Sequence, residues 1–148
     1  MRQGARIISV ILVLSVIFAT PVYASDEVTP WSSAFFTSYD PYIYYESGSS
    51  FEIWFDVVAA RRMEELGVSK IKIQVSSDGS NWGTVTTLYP EDYPQMICEN
   101  TGFHADYVTY SGTIGRYYRA YITFYAKNST GIGELSAYTQ KVRLVAAP

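Results

Sequence analysis

The side chains equipped for acid–base, nucleophilic or metal chemistry are few and scattered. The chain has one histidine, His104, and one cysteine, Cys98, six residues before it. Nucleophilic catalysis needs a Ser, Cys or Thr beside a base, usually a histidine held by a third group. No nucleophile elbow or Cys–His signature surrounds these two residues. A solitary histidine ordinarily serves as a surface or hydrogen-bonded structural residue. Cys98 cannot close an internal disulfide. It reads as a small buried apolar residue, with an intermolecular link as the alternative. Glycoside hydrolysis would need two carboxylates about 5–9 Å apart across a cleft. Glu91, Asp92 and Asp106 lie near His104, but their spacing selects no pair. The EF-hand loop, the phosphate-cradling glycine loop and the His-Glu-x-x-His helix are absent. One His and one Cys exclude a Cys/His metal cluster within one chain. The residues call for no cofactor, and the expectation is a protein that is not an enzyme.

Tyrosine is the type in surplus. The chain has 14 Tyr, 3 Trp and 7 Phe among 148 residues. Between 117 and 127 the residues alternate. Tyr117, Arg119, Tyr121, Thr123, Tyr125 and Lys127 fall on one face, and Tyr118, Ala120, Ile122, Phe124 and Ala126 on the other. Tyrosines four residues apart on a strand stand about 13 Å apart and point the same way. A neighbouring strand would add Lys70, Lys72 and Gln74 to the polar side. One reading is cross-strand Tyr pairs, with Lys and Arg stems, stabilising a solvated sheet. The other is a binding face, because Tyr and Arg concentrate in interface hot spots and paratopes. Tyr117, Arg119, Tyr121, Tyr125, Lys70 and Lys72 are the candidate binding residues. Tyr39, Tyr42, Tyr44 and Tyr45 form a second cluster, with Tyr42 and Tyr44 on one face and Tyr45 on the other.

The elements that must position these residues are short and closely punctuated. Phe51, Ile53, Phe55 and Val57 share one face of a strand, and Ile71, Ile73 and Val75 one face of another. One apolar and one polar face per strand is the pattern of antiparallel sheets solvated on one side. Weaker strands are expected at 39–46, 83–89, 105–111 and 134–144, with Ser77–Asn81 a turn between two strands. Ala59–Leu66 is rich in helix formers and is followed by Gly67, which predicts one short helix over 59–66. Residues 90–104 form the longest stretch without periodicity, read as a loop. About seven strands separated by frequent turns predict an all-β domain, a two-sheet antiparallel sandwich, with a closed barrel as runner-up.

Residues 1–24 read as a secretory signal peptide. Arg2 and Arg6 precede an uncharged apolar run from Ile7 to Ala19, and Val22-Tyr23-Ala24 offers small residues for cleavage after Ala24. A 13-residue helix spans about 20 Å, short of a hydrocarbon core of about 30 Å. The expected mature chain, 25–148, is a single domain with 9 basic and 14 acidic residues and a formal charge of −5. So acidic a domain is a poor general nucleic-acid binder. After cleavage no membrane segment is expected.

Tyr118-x-Ala-x-Ile-x-Phe-x-Ala126-x-Asn128-x-x-Gly131-x-Gly133-x-x-Ser136 resembles the last two strands of fibronectin type III domains. The tyrosine lies two residues further upstream than is usual there, and Phe55 stands where those domains place a core tryptophan. The resemblance implies an immunoglobulin-like sandwich. Met63-Glu-Glu-Leu-Gly-Val-Ser-Lys-Ile-Lys-Ile73, a following Ser-Asp-Gly and the Gly-x-x-Tyr-x-Ala-x-x-Thr-Phe-Tyr-Ala126 segment look like small secreted proteins of Gram-positive bacteria, a family with no assigned function. This second resemblance implies a secreted bacterial protein. Ser76–Trp82 is similar to the Asp-box of sialidases with one residue missing, a structural hairpin without catalytic weight.

Together these readings predict a non-enzymatic extracellular binding or interaction module. Its partner would be an extracellular protein or a wall polymer. A structural or self-assembling surface protein and a small hydrolase using the 90–106 loop are the alternatives.

Overall fold

The computed structural model describes residues 32–148. The signal segment expected at 1–24 lies outside the described residues. One turn of helix, α1 (Ser32–Phe35), leads into β1 (Phe36–Tyr44) and then β2 (Ser50–Ser76), a strand of 27 residues. There follow β3 (Gly83–Leu88), a 3-10 turn (Pro94–Met96), β4 (Ile97–Ser111), β5 (Tyr117–Asn128), β6 (Gly131–Tyr138) and the short β7 (Val142–Arg143). The chain is all-β, with seven strands in one antiparallel sheet that curls into a half-barrel. Among the described residues no helix is long and apolar enough to cross a membrane.

The organising element is β2. Its first half pairs with β1 on one edge, from Ala59↔Phe36 to Glu52↔Tyr44. Its second half pairs with β5, from Glu65↔Lys127 to Ser76↔Tyr117. The other edge carries β4 along both halves, with a register break between Val58 and Met63, and β3 near the end. The break lets β2 bend and bring its ends together. Phe51, near the start of β2, packs on Tyr118, whose ladder partner is Val75 near the end, with ring centroids 5.3 Å apart. Tyr39 of β1 meets Phe124 of β5 at 5.3 Å.

The core lines the inside of this curl. Phe51, Ile53, Phe55, Val57, Val68, Ile71 and Ile73 of β2 meet Tyr118, Ala120, Ile122, Phe124 and Ala126 of β5, all buried. This is the inward face expected from alternation on both strands. A leucine-sized side chain taken from water contributes about 1.5–3 kcal/mol, so these positions dominate the stability.

Two expectations are corrected. The helix expected at 59–66 is strand. Met63, Glu65 and Leu66 pair with Thr101, Glu99 and Cys98 of β4, and Glu65 and Leu66 also pair with β5. Hydrogen bonding to neighbours on both sides overrides a local helix propensity of a few tenths of a kcal/mol per residue. Gly67 does not end a helix either. A Cβ there would sit 2.0 Å from the Met96 carbonyl oxygen, so glycine is required by the close approach of the 3-10 turn. The loop expected over 90–104 is shorter, because Ile97 onward belongs to β4. Most β4 residues are partly exposed whichever way they point, so no apolar alternation marks the strand.

Candidate functional site

The outer side of β3, the second half of β2, β5 and β6 forms one continuous surface. Directly paired residues of an antiparallel ladder share a face. The register sets Lys72 opposite Tyr121, Gln74 opposite Arg119, Ser76 opposite Tyr117 and Lys70 opposite Thr123. On the other side of β5, Tyr121 pairs with Tyr138 and Thr123 with Ser136. All six residues expected to form a binding face therefore lie on one face. Each is half-buried rather than freely exposed.

What partly covers them is other aromatic and basic side chains, which alternation along β5 does not reveal. The Arg119 guanidinium lies between two rings, its Cζ 4.3 Å from the centroid of Trp82 and 4.2 Å from that of Tyr138. Each such cation–π contact contributes about 0.5–1 kcal/mol at an exposed site. Arg119 Nε donates to Gln74 Oε1 at 2.8 Å. Its Nη groups make no hydrogen bond among the described residues, so the two-pronged edge that grips carboxylate or phosphate is unengaged. Tyr121 packs on Tyr138 at 4.5 Å. At the Tyr117 end, Lys141 Nζ and Arg143 Cζ lie 5.9 and 5.6 Å from the ring.

The β2–β3 turn delivers Trp82 to this cluster. Asp78 carboxylate oxygens accept from the backbone N–H groups of Ser80 and Asn81, from Asn81 Nδ2 and from Ser76 Oγ, at 2.7–2.8 Å. The backbone donors, Asn81 first, hold the Asp78 carboxyl well below the usual carboxylate range. A depressed folded pKa means that the stability from this turn is complete above the unfolded carboxylate value and is lost as pH falls through the folded one. We expect the Ser80 and Asn81 amide NMR signals to stay in place on acidification through the ordinary carboxylate range and to move only below it. Movement within the ordinary range would show that the turn is looser than its geometry.

Tyr125 belongs to a different group. Its hydroxyl donates to Glu65 Oε2 at 3.1 Å, and Lys127 Nζ lies 3.0 Å from Glu65 Oε1 in the single salt bridge among the described residues. Hydrogen bonding from Lys127 is the main influence that holds the Glu65 carboxyl below its ordinary value. The cationic part of the face is thus Lys70, Lys72, Arg119, Lys141 and Arg143, none of which has an acidic partner within salt-bridge distance among the described residues.

A second outer face covers β1, the first half of β2 and β4. Tyr42, Trp54 and Tyr107 are ladder neighbours and stack in a row, with centroids 5.8 and 4.7 Å apart. Here the charges are acidic. Asp40 stands opposite Asp56, and Tyr44 opposite Glu52, which accepts from Trp54 Nε1 at 2.8 Å. Burial, reinforced by Asp40, pushes the Asp56 carboxyl up. Its Oδ1 is buried without a hydrogen-bond partner among the described residues. Tyr42 and Tyr44 share this face as alternation requires.

No hydrogen bond joins His104 to Cys98 among the described residues. His104 Nε2 lies 2.7 Å from the Gln95 carbonyl oxygen, and its ring packs on Phe55 at 5.8 Å. Cys98 is half-buried, with Sγ 3.8 Å from the Glu99 carbonyl oxygen. No protein-family model and no curated protein sequence matches the chain.

Proposed function

We propose that the chain is a non-enzymatic extracellular binding module for an anionic partner, such as a phosphodiester polymer of a bacterial cell wall. One observation carries this reading. Arg119 is held between Trp82 and Tyr138 with its Nη edge free of hydrogen bonds among the described residues. A guanidinium fixed by stacking loses little side-chain freedom when an anion docks on it. Lys70, Lys72, Lys141 and Arg143 would add attraction around that point, and Tyr117, Tyr121 and Tyr138 would supply flat contact area. The expected export signal at 1–24 agrees with an extracellular partner. The packing of Phe51 on Tyr118 supports reading the curled sheet as a sandwich of the fibronectin type III-like kind.

The test is calorimetric titration with soluble poly(glycerol phosphate) near physiological salt. Arg119→Lys keeps the charge but removes the planar fork. It is expected to weaken binding about tenfold, near 1.4 kcal/mol, and to cost about 1 kcal/mol of stability through weaker stacking on Trp82 and Tyr138, leaving the chain folded. Lys70→Glu with Lys72→Glu should remove binding. Affinity in the unaltered chain should fall steeply as salt rises, because exposed charges are screened over about 8 Å at physiological ionic strength. Full affinity in both variants would refute the reading. Tyr121→Ser with Tyr125→Ser is a poorer probe, because both rings are half-buried and Tyr125 is tied to Glu65.

A further inference from the structure

The charges of the sheet are segregated. Residues 36–58 and 97–111, which cover β1, β2 up to Val58 and β4, contain six acids and no Lys or Arg, with Arg61 and Arg62 following at the bend of β2. Asp40, Glu52 and Asp56 share the outer face, whereas Asp106, opposite Phe55, is on the inner one. The cations Lys70, Lys72, Arg119, Lys141 and Arg143 all lie on the other outer face or at its Tyr117 end. Both faces are rich in aromatic rings that no other part of the described chain covers completely. Tyr44, Tyr107 and Phe103 are exposed on or beside the acidic side, as is Tyr138 on the basic side.

We propose that the acidic face of one copy docks on the basic face of a second copy, head to tail. Charge complementarity is the first argument: one face carries Asp40, Glu52 and Asp56, and the other carries Lys70, Lys72, Arg119 and Arg143, none of them in an ion pair among the described residues, beside Glu65 and Glu134 at its Tyr125 end. The second is the state of the acidic face on its own. Asp40 and Asp56 stand directly opposite each other, and like charges so placed are destabilising. A lysine or arginine from a second copy relieves that repulsion. The two faces lie on different halves of β2, so the contact is heterologous. Each copy keeps one face free, and the assembly extends unless the rotation closes it into a ring. Three strands at about 4.8 Å spacing make a contact smaller than a standard interface, so the association is weak and salt-sensitive. This inference rests on the basic face being a binding surface, as proposed for the anionic partner, and an anionic polymer competes with the second copy for it.

The experiment is sedimentation velocity on three proteins: the unaltered chain from residue 25, an acidic-face variant (Asp40→Lys with Glu46→Lys, Glu46 accepting from the Tyr44 hydroxyl on that face) and a basic-face variant (Lys70→Glu with Lys72→Glu). The unaltered chain should gain mass with concentration at about 10 mM salt and return to monomer near 1 M. Each variant alone should stay monomeric. Mixed together they should assemble again, because the intact acidic face of one variant meets the intact basic face of the other and the two charge-reversed faces also complement each other. A monomeric unaltered chain up to about 1 mM would overturn the proposal, as would assembly of either variant alone, or a mixture that stays monomeric. Asp40→Asn with Glu46→Gln provides a second acidic-face variant of milder character, with weakened assembly expected. Titration with poly(glycerol phosphate) separates the two readings. An acidic-face variant that binds the polymer while the unaltered chain never assembles leaves polymer binding standing alone. A basic-face variant that loses assembly yet still binds the polymer leaves only self-association.

Discussion

Gly67→Ala is expected to cost more than about 3 kcal/mol and to leave the chain unfolded or poorly folded at room temperature. The added Cβ would lie 2.0 Å from Met96 O, 3.0 Å from the Met96 carbonyl carbon and 3.1 Å from His104 Cδ2. The first two are backbone atoms, so no side-chain rotation relieves the overlap. Gly67 also has φ +153°, where residues with a side chain rarely sit. Either β2 must leave the 3-10 turn or the turn must leave β4, and Met96 is fully buried between them. Losing the cover over Met96 alone resembles a large-to-small core change. The control is Gly83→Ala, where an added Cβ meets nothing within 4 Å and the change should stay within about 0.5 kcal/mol. Urea denaturation of both variants decides the matter. A Gly67→Ala chain as stable as Gly83→Ala would mean that the turn does not press on β2.

Phe55→Ala is the second large effect, expected at about 3–5 kcal/mol, with Ile122→Ala at about 2–5 kcal/mol. Both side chains are fully buried. Phe55 also backs the His104 ring at 5.8 Å, so its removal loosens the contact between β4 and the turn. The cavity cannot easily collapse, because the ladder fixes β2 on both edges here. Chemical denaturation that finds both variants within about 0.5 kcal/mol of the unaltered chain would reverse the inward and outward faces of these strands.

Alternation alone makes the inward face legible in the sequence. It places Phe51, Ile53, Phe55 and Val57, and separately Tyr118 to Ala126, because period two survives wherever one face is buried. It fails at Ala59–Leu66, where the strand bends and the register breaks. There Met63 and Leu66, three apart, are both buried, a spacing that imitates a helix. The polar face of β5 is equally legible, and Lys70 and Lys72 join it because β2 and β5 pair in the register that alternation allows. Trp82 and Tyr138 are not legible as partners of Arg119. They lie 37 residues before and 19 after it, and only the pairing of β2 with β5 and of β5 with β6 brings them to one guanidinium. The separation into an acidic and a basic face is written in the sequence as runs without Lys or Arg. It acquires meaning only once β4 lies beside the first half of β2.

The most direct test of the account is residue-resolved NMR titration of the chain from residue 25, at a dilution where it is monomeric, with poly(glycerol phosphate). The predicted result is a set of shifts centred on the Arg119 side chain and the Trp82 indole N–H. It should extend over Lys70–Gln74, Tyr117–Tyr121 and Tyr138, and leave Tyr42, Trp54 and Tyr107 unmoved. Shifts centred on Tyr42, Trp54 and Tyr107, or none at saturating polymer and low salt, would contradict the assignment of binding to the basic aromatic face.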